Sequence, residues 1–150
     1  GQTGKQVKNS VAQWQALGVR TATGGALPDH GAASVLMPAG ARGAAFLIFG
    51  NFNVITRYNS ADAYVIGVGH LSDRIRGGEA IRAAWPRDDR SLKFEERQEL
   101  QERLSRAGFD TQGVDGKIGP NTISAVKAFQ NSVGMAPDGY PSLDVLRRLR

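Results

Sequence analysis

The sequence contains no cysteine and only two histidines among its 150 residues. The absence of cysteine excludes disulfides, thiolate metal sites and cysteine nucleophiles together. The histidines, His30 and His70, lie 40 positions apart, a separation that fits no zinc-ligand pattern. We therefore expect neither a metal site nor a cofactor.

Long apolar stretches are also missing from the chain. The longest one, residues 44–49, is far shorter than the roughly 18 residues that a membrane-spanning helix needs. Residues 1–5 are not followed by the apolar segment of a signal peptide. The sequence thus predicts no transmembrane segment in this chain.

Acidic residues are scarce in the first half of the chain. Residues 1–78 hold seven Lys and Arg against three Asp and no Glu, whereas residues 93–150 hold nine basic residues against eight acidic ones. The net charge of +5 would attract polyanions. However, the basic residues of the first half are scattered and no nucleic-acid-binding motif accompanies them. We therefore predict no nucleic-acid partner.

The stretch that follows Gly77 and Gly78 divides the sequence. Residues 79–92 end in a charged segment that contains Pro86, which is typical of a linker. We predict one domain at residues 1–78, a linker at residues 79–92 and a second domain at residues 93–150.

Apolar periodicity predicts two helices and two short strands in the first domain. An early helix shows one apolar face and would end at Gly18. Residues 34–37 and 44–49 predict strands joined by a turn at residues 38–40. A later helix over residues 60–75, capped by Asn59 or Ser60, carries a second apolar stripe. The early face comprises Val7, Val11, Trp14 and Leu17, and the later stripe Tyr64, Val68, Leu71 and Ile75.

The second domain is predicted to contain three helices. The first covers residues 94–107, the second begins at Pro120, a residue that suits the first helical position, and the third begins near Ser142. Their predicted inward faces are Leu100, Leu104 and Ala107; Ile123, Val126, Phe129 and Val133; and Leu143, Leu146 and Leu149.

The ordered motifs of the second domain are specific. They are Leu100-Gln101-Glu102-Arg103-Leu104, Gly108-Phe109, Val114-Asp115-Gly116-Lys117-Ile118-Gly119-Pro120-Asn121-Thr122, Ala125-Val126-Lys127-Ala128-Phe129-Gln130 and Pro137-Asp138-Gly139. This series resembles the peptidoglycan-binding module found on many cell-wall enzymes. The resemblance implies that the module binds peptidoglycan.

Three residues of this module are candidates for wall contact. Asp115 and Asp138 each precede a glycine, in dipeptides that favour tight turns, so each carboxylate either holds a turn or contacts the wall peptide. Gln130 lies beside the apolar stripe of the second helix and could face a groove. We retain Asp115, Gln130 and Asp138 as candidate peptidoglycan-binding residues.

A second specific segment lies in the first domain, at residues 44–64. Its most specific part reads Gly50-Asn51-Phe52-Asn53-Val54-Ile55-Thr56-Arg57-Tyr58-Asn59-Ser60-Ala61-Asp62-Ala63-Tyr64. With Trp14, Gly18-Val19-Arg20 and Leu71-Ser72-Asp73-Arg74-Ile75, it resembles the end of the catalytic domain in the lytic murein transglycosylase B family. Gly50 and Lys93 depart from that pattern, since the family often has an acid at the first position and Ser or Thr at the second.

The resemblance implies a mainly α fold. The first domain would be the C-terminal portion of a lysozyme-like α+β domain with a short two-stranded β element, followed by a three-helix peptidoglycan-binding domain. Family enzymes cleave the MurNAc–GlcNAc β-1,4 bond to 1,6-anhydromuramoyl products, with one Glu as acid and then base. The partners implied are the glycan strands and stem peptides of peptidoglycan. The implied location is the periplasm, with membrane anchoring through an upstream segment left open.

By the same resemblance, Tyr58 and Asn59 would line the saccharide site. A tyrosine ring stacks on a sugar face, and an amide can hydrogen-bond an N-acetyl or hydroxyl group. Alternatively, Tyr58 only packs against the protein and Asn59 only caps the following helix. Both readings stay open at this stage.

The catalytic Glu of the family is missing from the sequence. Residues 1–78 contain Asp29, Asp62 and Asp73 but no Glu, and the Glu-Ser-x-Phe-Gly motif occurs nowhere. We therefore expect the Glu on an upstream part of the same catalytic domain, and expect this chain to be inactive alone. The alternative is a non-catalytic protein that anchors to peptidoglycan.

Overall fold

The computed structural model describes residues 3–150 and divides into two compact units. The first unit extends to Pro38 and continues from Gly43 to Ala84, whereas the second combines Ala39–Arg42 with Trp85–Arg150. None of the helices within residues 3–150 combines the length and apolar character needed to cross a membrane. The elements are α1 Val11–Ala16, β1 Ser34–Leu36, a 3₁₀ turn Gly40–Arg42, β2 Phe46–Ile48, α2 Gly50–Thr56, α3 Asp62–Ile75, α4 Phe94–Arg106, α5 Pro120–Ser132 and α6 Leu143–Leu149.

Helix α1 and the two strands build one end of the first unit. Ser10 and Gln13 form a capping box at the start of α1, with N···O distances of 2.8 and 3.2 Å. Gly18, at φ +89°, follows its last turn as predicted. The buried Trp14 ring anchors the helix, because its Nε1 donates to the Ala33 carbonyl at 2.9 Å.

Strands β1 and β2 pair antiparallel, with Ser34 opposite Ile48. The predicted two-stranded element is therefore confirmed. The predicted turn at residues 38–40 is present but is only part of the connection, which runs from Met37 to Ala45 and continues into the 3₁₀ turn. The prediction placed the turn at the Pro38 and Gly40 signals, but these residues begin a longer loop that belongs partly to the second unit.

Helices α2 and α3 pack on the sheet through Leu36, Phe52 and Val65. The predicted cap of α3 is wrong, because the N-cap residue is Ala61 and it makes no side-chain bond. The predicted apolar stripe of α3 is exposed, and a different face of the helix is buried. Val65 is 2% exposed, whereas the four stripe residues are among the exposed large apolar side chains, and Ile75 is 78% exposed.

The core of the second unit consists of side chains from α4, α5 and α6 together with Leu92. Its members are Leu92, Leu100, Leu104, Ala125, Val126, Phe129, Val145 and Leu146. Two predicted inward positions are wrong, and three others, Val133, Leu143 and Leu149, are only partly buried against the core. Ala107 is exposed, Ile123 is 36% exposed, and on α6 the fully buried pair is Val145 and Leu146.

Polar side chains fix the ends of α4. Lys93 occupies the N-cap position without a Ser or Thr hydroxyl, and its backbone N–H donates to Glu96 Oε2 at 2.7 Å. Arg90 also pairs with Glu96, and these contacts lower the pKa of Glu96 to about 2. Glu99 accepts from Arg150 and from Arg103 at 2.8 Å each, and these arginines lower the pKa of Glu99 to about 2.

Candidate functional sites

Tyr58 and Asn59 lie in the short connection between α2 and α3. Tyr58 is 84% exposed, and its ring centroid lies 6.1 Å from that of Tyr64, with 30° between the ring planes. Asn59 Oδ1 accepts the Ala61 backbone N–H at 2.9 Å, which is an Asx turn. The turn folds the connection tightly and brings the first turn of α3, with Tyr64, beside Tyr58.

This connection has the chemistry of a carbohydrate contact. Two neighbouring exposed rings offer flat apolar faces, and such faces pack well against the CH face of a sugar. The Asx turn uses the Asn59 carbonyl oxygen, so the amide nitrogen is the group that can donate to a ligand. The saccharide roles of Tyr58 and Asn59 stay predictions.

The acids of residues 3–78 are few and mostly engaged. Asp29 Oδ1 accepts the Gly31 N–H at 3.0 Å, and Asp62 forms an ion pair with Lys5 at 2.6 Å. Asp73 lines a pocket between β2, α2 and α3. All three acids are aspartates. Asp29 holds a loop, and Asp62 pairs with a lysine.

That pocket was not predicted from the sequence. It has a volume of about 620 Å³, with an apolar floor from β2 and α2 and polar walls that include His70 and Asp73. His30 also lines it and packs edge-on against Phe49 at 5.2 Å between centroids. Residues 3–150 contain no cluster of three or more His, Cys, Asp or Glu able to hold a metal. Because its lining comes from three separate stretches of the sequence, the spacing of residues could not predict this pocket.

The second unit contains a buried polar arrangement of which the sequence predicts only the turn. Gln101, 1% exposed, accepts the Gly116 N–H through Oε1 at 2.7 Å and donates through Nε2 to Asp115 Oδ1 at 3.1 Å. Asp115 Oδ1 also accepts the Lys117 N–H at 2.9 Å. These donors, the Lys117 amide first, lower the pKa of the Asp115 carboxyl. We call Gln101, Asp115 and Gly116 the first clamp.

The same arrangement occurs a second time along the chain, with the glutamine 29 residues later and the aspartate and glycine 23 residues later. Gln130, 2% exposed, accepts the Gly139 N–H through Oε1 at 2.8 Å and donates to Asp138 Oδ1 at 2.7 Å. Asp138 Oδ1 accepts the Tyr140 N–H at 2.8 Å. Gln130, Asp138 and Gly139 form the second clamp. The module is therefore built from two copies of one hydrogen-bonded unit.

Both clamps need a glycine. Gly116 and Gly139 have φ values of +70° and +75°, in the region that side chains disfavour. A Cβ on Gly116 would lie 2.6 Å from the ring of Phe94, and one on Gly139 would lie 2.8 Å from Ile123 Cγ2. Phe94 and Ile123 each precede the clamp glutamine by seven residues, so the repeat extends to the helix that covers the glycine.

Each clamp borders a groove. The first groove, about 320 Å³, is lined by residues between 101 and 122, and the second groove, about 190 Å³, is lined by residues between 130 and 144 together with Ala39, Ala41, Arg42 and Asp89. The shared offset of 23 residues pairs Asp115 with Asp138, Lys117 with Tyr140, and Asn121 with Asp144.

The structure thus places the three candidate wall-binding residues in the clamps. Gln130 is buried and holds Gly139 and Asp138, and Asp138 also accepts the Ala41 N–H through Oδ2 at 2.7 Å. Asp115 is exposed and borders the first groove. Their contact with peptidoglycan stays a prediction.

Family models cover most of the chain. A transglycosylase SLT domain matches residues 1–73, and a putative peptidoglycan-binding domain matches residues 95–149. Among curated proteins, no sequence matches the chain.

Two crystal structures of SltB3 from Pseudomonas aeruginosa are similar to the chain. One, in complex with NAG-anhNAM-pentapeptide, is 44% identical, and the other, in complex with NAG-NAM-pentapeptide, is 45% identical. Each aligns with 96% of this chain at a TM-score of 0.91. The chain spans 39% of the length of SltB3.

These findings confirm the predicted fold class, which is mainly helical with a short two-stranded sheet and a lysozyme-like neighbour. They also confirm the predicted resemblance of both parts of the chain.

Proposed function

We propose that the chain forms the wall-binding portion of an enzyme that cleaves murein. The chain belongs to the lytic transglycosylases, with an SLT domain followed by a peptidoglycan-binding domain. The reaction is cleavage of MurNAc–GlcNAc β-1,4 bonds to 1,6-anhydromuramoyl products. The observation that carries the proposal is the joint presence of both family domains in one chain, with 44% identity to SltB3 over 96% of this chain.

Tyr58 and Asn59 supply one wall of the saccharide site in this proposal. The Tyr58 and Tyr64 rings stack on a pyranose face, and the Asn59 amide nitrogen donates to a hydroxyl or N-acetyl oxygen. The exposure of Tyr58 supports this role, because a tyrosine that served only packing would be buried. The site acts in the periplasm, where peptidoglycan lies, and the parent enzyme reaches it as a free or membrane-anchored protein.

The catalytic acid comes from a part of the enzyme outside these 150 residues. Protonation of the glycosidic oxygen needs a carboxylic acid within hydrogen-bond reach. Residues 1–78 have no Glu, and Asp29 and Asp62 are held by Gly31 and Lys5. This distribution supports a chain that holds the substrate but does not protonate it.

The apolar stripe on α3 is the surface that the rest of the catalytic domain covers. Leu71 and Ile75 are 60% and 78% exposed on a helix whose other face is buried through Val65. Burying such side chains stabilises an association by about 25 cal/mol per Å² of apolar area. A purely wall-binding protein needs no such stripe, which favours the enzyme over the non-catalytic alternative.

The test is to incubate the purified chain with sacculi, with and without the missing upstream part of the catalytic domain. We expect the chain alone to sediment with sacculi and to release no anhydro-muropeptides detectable by mass spectrometry, and expect release once the upstream part is added. Release by the chain alone, above a buffer control, would overturn the assignment of the acid. Failure to sediment at low salt would overturn wall binding itself.

A further inference from the structure

The second groove shows what kind of group a clamp accepts. The loop residues Ala39, Ala41 and Arg42 line it, and the Ala41 backbone N–H donates to Asp138 Oδ2 at 2.7 Å. Gly40 lies so close that a Cβ there would be 2.6 Å from Asp138 Oδ2. A backbone amide flanked by very small residues is therefore the group seated on the second clamp carboxylate.

The first groove has the same recognition group in the same place. Asp115 uses Oδ1 for Gln101 and Lys117, as Asp138 uses Oδ1 for Gln130 and Tyr140. Neither Gln101 nor Lys117 uses Asp115 Oδ2, since both donate to Oδ1. Since the two grooves are built alike, Asp115 Oδ2 stands where Asp138 Oδ2 accepts the Ala41 amide.

The two grooves differ at two equivalent positions, and these differences change the ligand that each groove prefers. Asp144, which pairs with Arg42 at 3.1 Å in the second groove, is replaced by the neutral Asn121, so a cationic side chain gains no partner there. Tyr140 is replaced by Lys117, whose ammonium attracts a carboxylate. The first groove therefore favours a peptide with small side chains and an acidic group.

From this comparison, the geometry points to the first groove as a binding site for a short alanine-rich peptide that bears free carboxylates. A ligand amide N–H donates to Asp115 Oδ2, a ligand carboxylate pairs with Lys117, and a polar ligand group bonds Asn121. This inference rests on the proposed wall-binding function and narrows it, because the free carboxylates of intact peptidoglycan lie on the stem peptide and not on the glycan.

The test is titration of the whole chain with a synthetic stem pentapeptide, followed by amide NMR shifts. We expect saturable shifts at Gly113, Gly116 and Lys117 in the first groove, and unchanged Gly139 in the second. Asp115→Asn keeps an oxygen for the Lys117 N–H but replaces the groove acceptor, and should weaken binding tenfold or more. Lys117→Glu should do the same and leaves the clamp bonds intact, so it serves if Asp115→Asn unfolds. Glu102→Gln, an exposed charge change on α4, is the control and should bind normally.

A parallel arm separates this inference from the proposed function. The chain should sediment with intact sacculi. It should bind much more weakly to glycan from which an amidase has removed the peptides. Equal binding to stripped glycan, or peptide shifts outside the first groove, would overturn the peptide site while wall binding stands. Concentration-dependent self-association that shifts the same amides would also overturn it, in favour of the Ala39–Arg42 loop of a second molecule. No binding to either form would overturn wall binding as well.

Discussion

Replacing Gln101 with leucine tests whether the clamps stabilise the module. Gln101 makes four bonds, to Gly116 N–H, Asp115 Oδ1, the Lys117 carbonyl and Thr122 Oγ1, at 2.7 to 3.2 Å. Leucine keeps the apolar bulk but leaves the buried Gly116 N–H without an acceptor. It also removes the donor to Asp115, to Thr122 and to the Lys117 carbonyl, which keeps the Gly119 N–H. A buried group left unpaired costs about 1–3 kcal/mol, and each lost hydrogen bond about 0.5–1.5 kcal/mol.

The expected loss from Gln101→Leu is therefore about 2–5 kcal/mol. A unit of this size has about 3–10 kcal/mol of stability at the usual value per residue, so the variant should lose roughly half of it. Gln130→Leu should cost less, about 1–3 kcal/mol, because Gln130 makes only the bonds to Gly139 and Asp138. The expected order is thus Gln101→Leu first and Gln130→Leu second.

Urea unfolding, followed by the methyl NMR signals of buried Leu100 and Val126, reports on this unit separately. Gln98→Leu places the same chemical change on the same helix without clamp bonds, and should stay within about 0.5 kcal/mol of the parent. A Gln101→Leu variant as stable as Gln98→Leu would refute the reasoning. A larger loss for Gln130→Leu than for Gln101→Leu would refute the ranking by number of bonds.

Four further outcomes follow from the structure. Gly108→Ala and Gly116→Ala both place alanine at positive φ, but only the second meets a ring at 2.6 Å. The first should therefore lower the Tm by about 4–8 °C, as expected for about 1 kcal/mol, and the second by clearly more; equal shifts in calorimetry would contradict the packing argument. The pKa of Glu99 is about 2 in the folded chain against an ordinary value of 4.5. Its contribution to stability is therefore present above pH 4.5 and lost as pH falls toward 2; a Glu99→Gln variant should show a flatter Tm profile in that window, and an unchanged profile would argue against the ion pairs. Leu71→Ser should change the stability of the chain by less than about 0.5 kcal/mol yet reduce the murein cleavage recovered with the upstream part, whereas full recovery would show that the stripe is not the docking surface. Asn59→Ala should cost about 1 kcal/mol for the lost turn bond and lower kcat/KM of the complemented enzyme at least tenfold, and normal turnover at a reduced Tm would leave Asn59 as a turn residue only.

Local patterns predicted the helices of the second unit well but did not predict α2 in the first. Apolar spacing and the Pro120 and Ser142 positions placed α5 and α6 within a residue of their observed starts. The predicted cap of α3 is wrong because Asn59 accepts the Ala61 N–H in an Asx turn, which ends at Ala61, the residue directly before the helix begins. Cap and turn use the same side chain in similar sequences, so sequence alone does not separate them.

Long-range contacts account for what the sequence did not reveal. The sequence places Gln101 and Gln130 on helices and offers Gln130 as a wall contact, because nothing local shows that each side chain accepts from a glycine 15 or 9 residues away. The equivalence of the two grooves likewise emerges only when hydrogen bonds are compared atom by atom. Motif resemblance, in contrast, identified both domains, since family motifs already encode such distant constraints.

The Ala39–Arg42 loop has a practical consequence for anyone who dissects this protein. The second unit is discontinuous in sequence, since Ala41 bonds Asp138 across 97 positions and Arg42 pairs with Asp88 and Asp144. A fragment cut at the border of the family motif, near residue 93, would leave these four residues behind and lose Asp88 as well. Such a fragment would expose both clamps, whereas the whole chain exposes one. The number of ligands that it binds would therefore reflect the missing loop and not the intact protein.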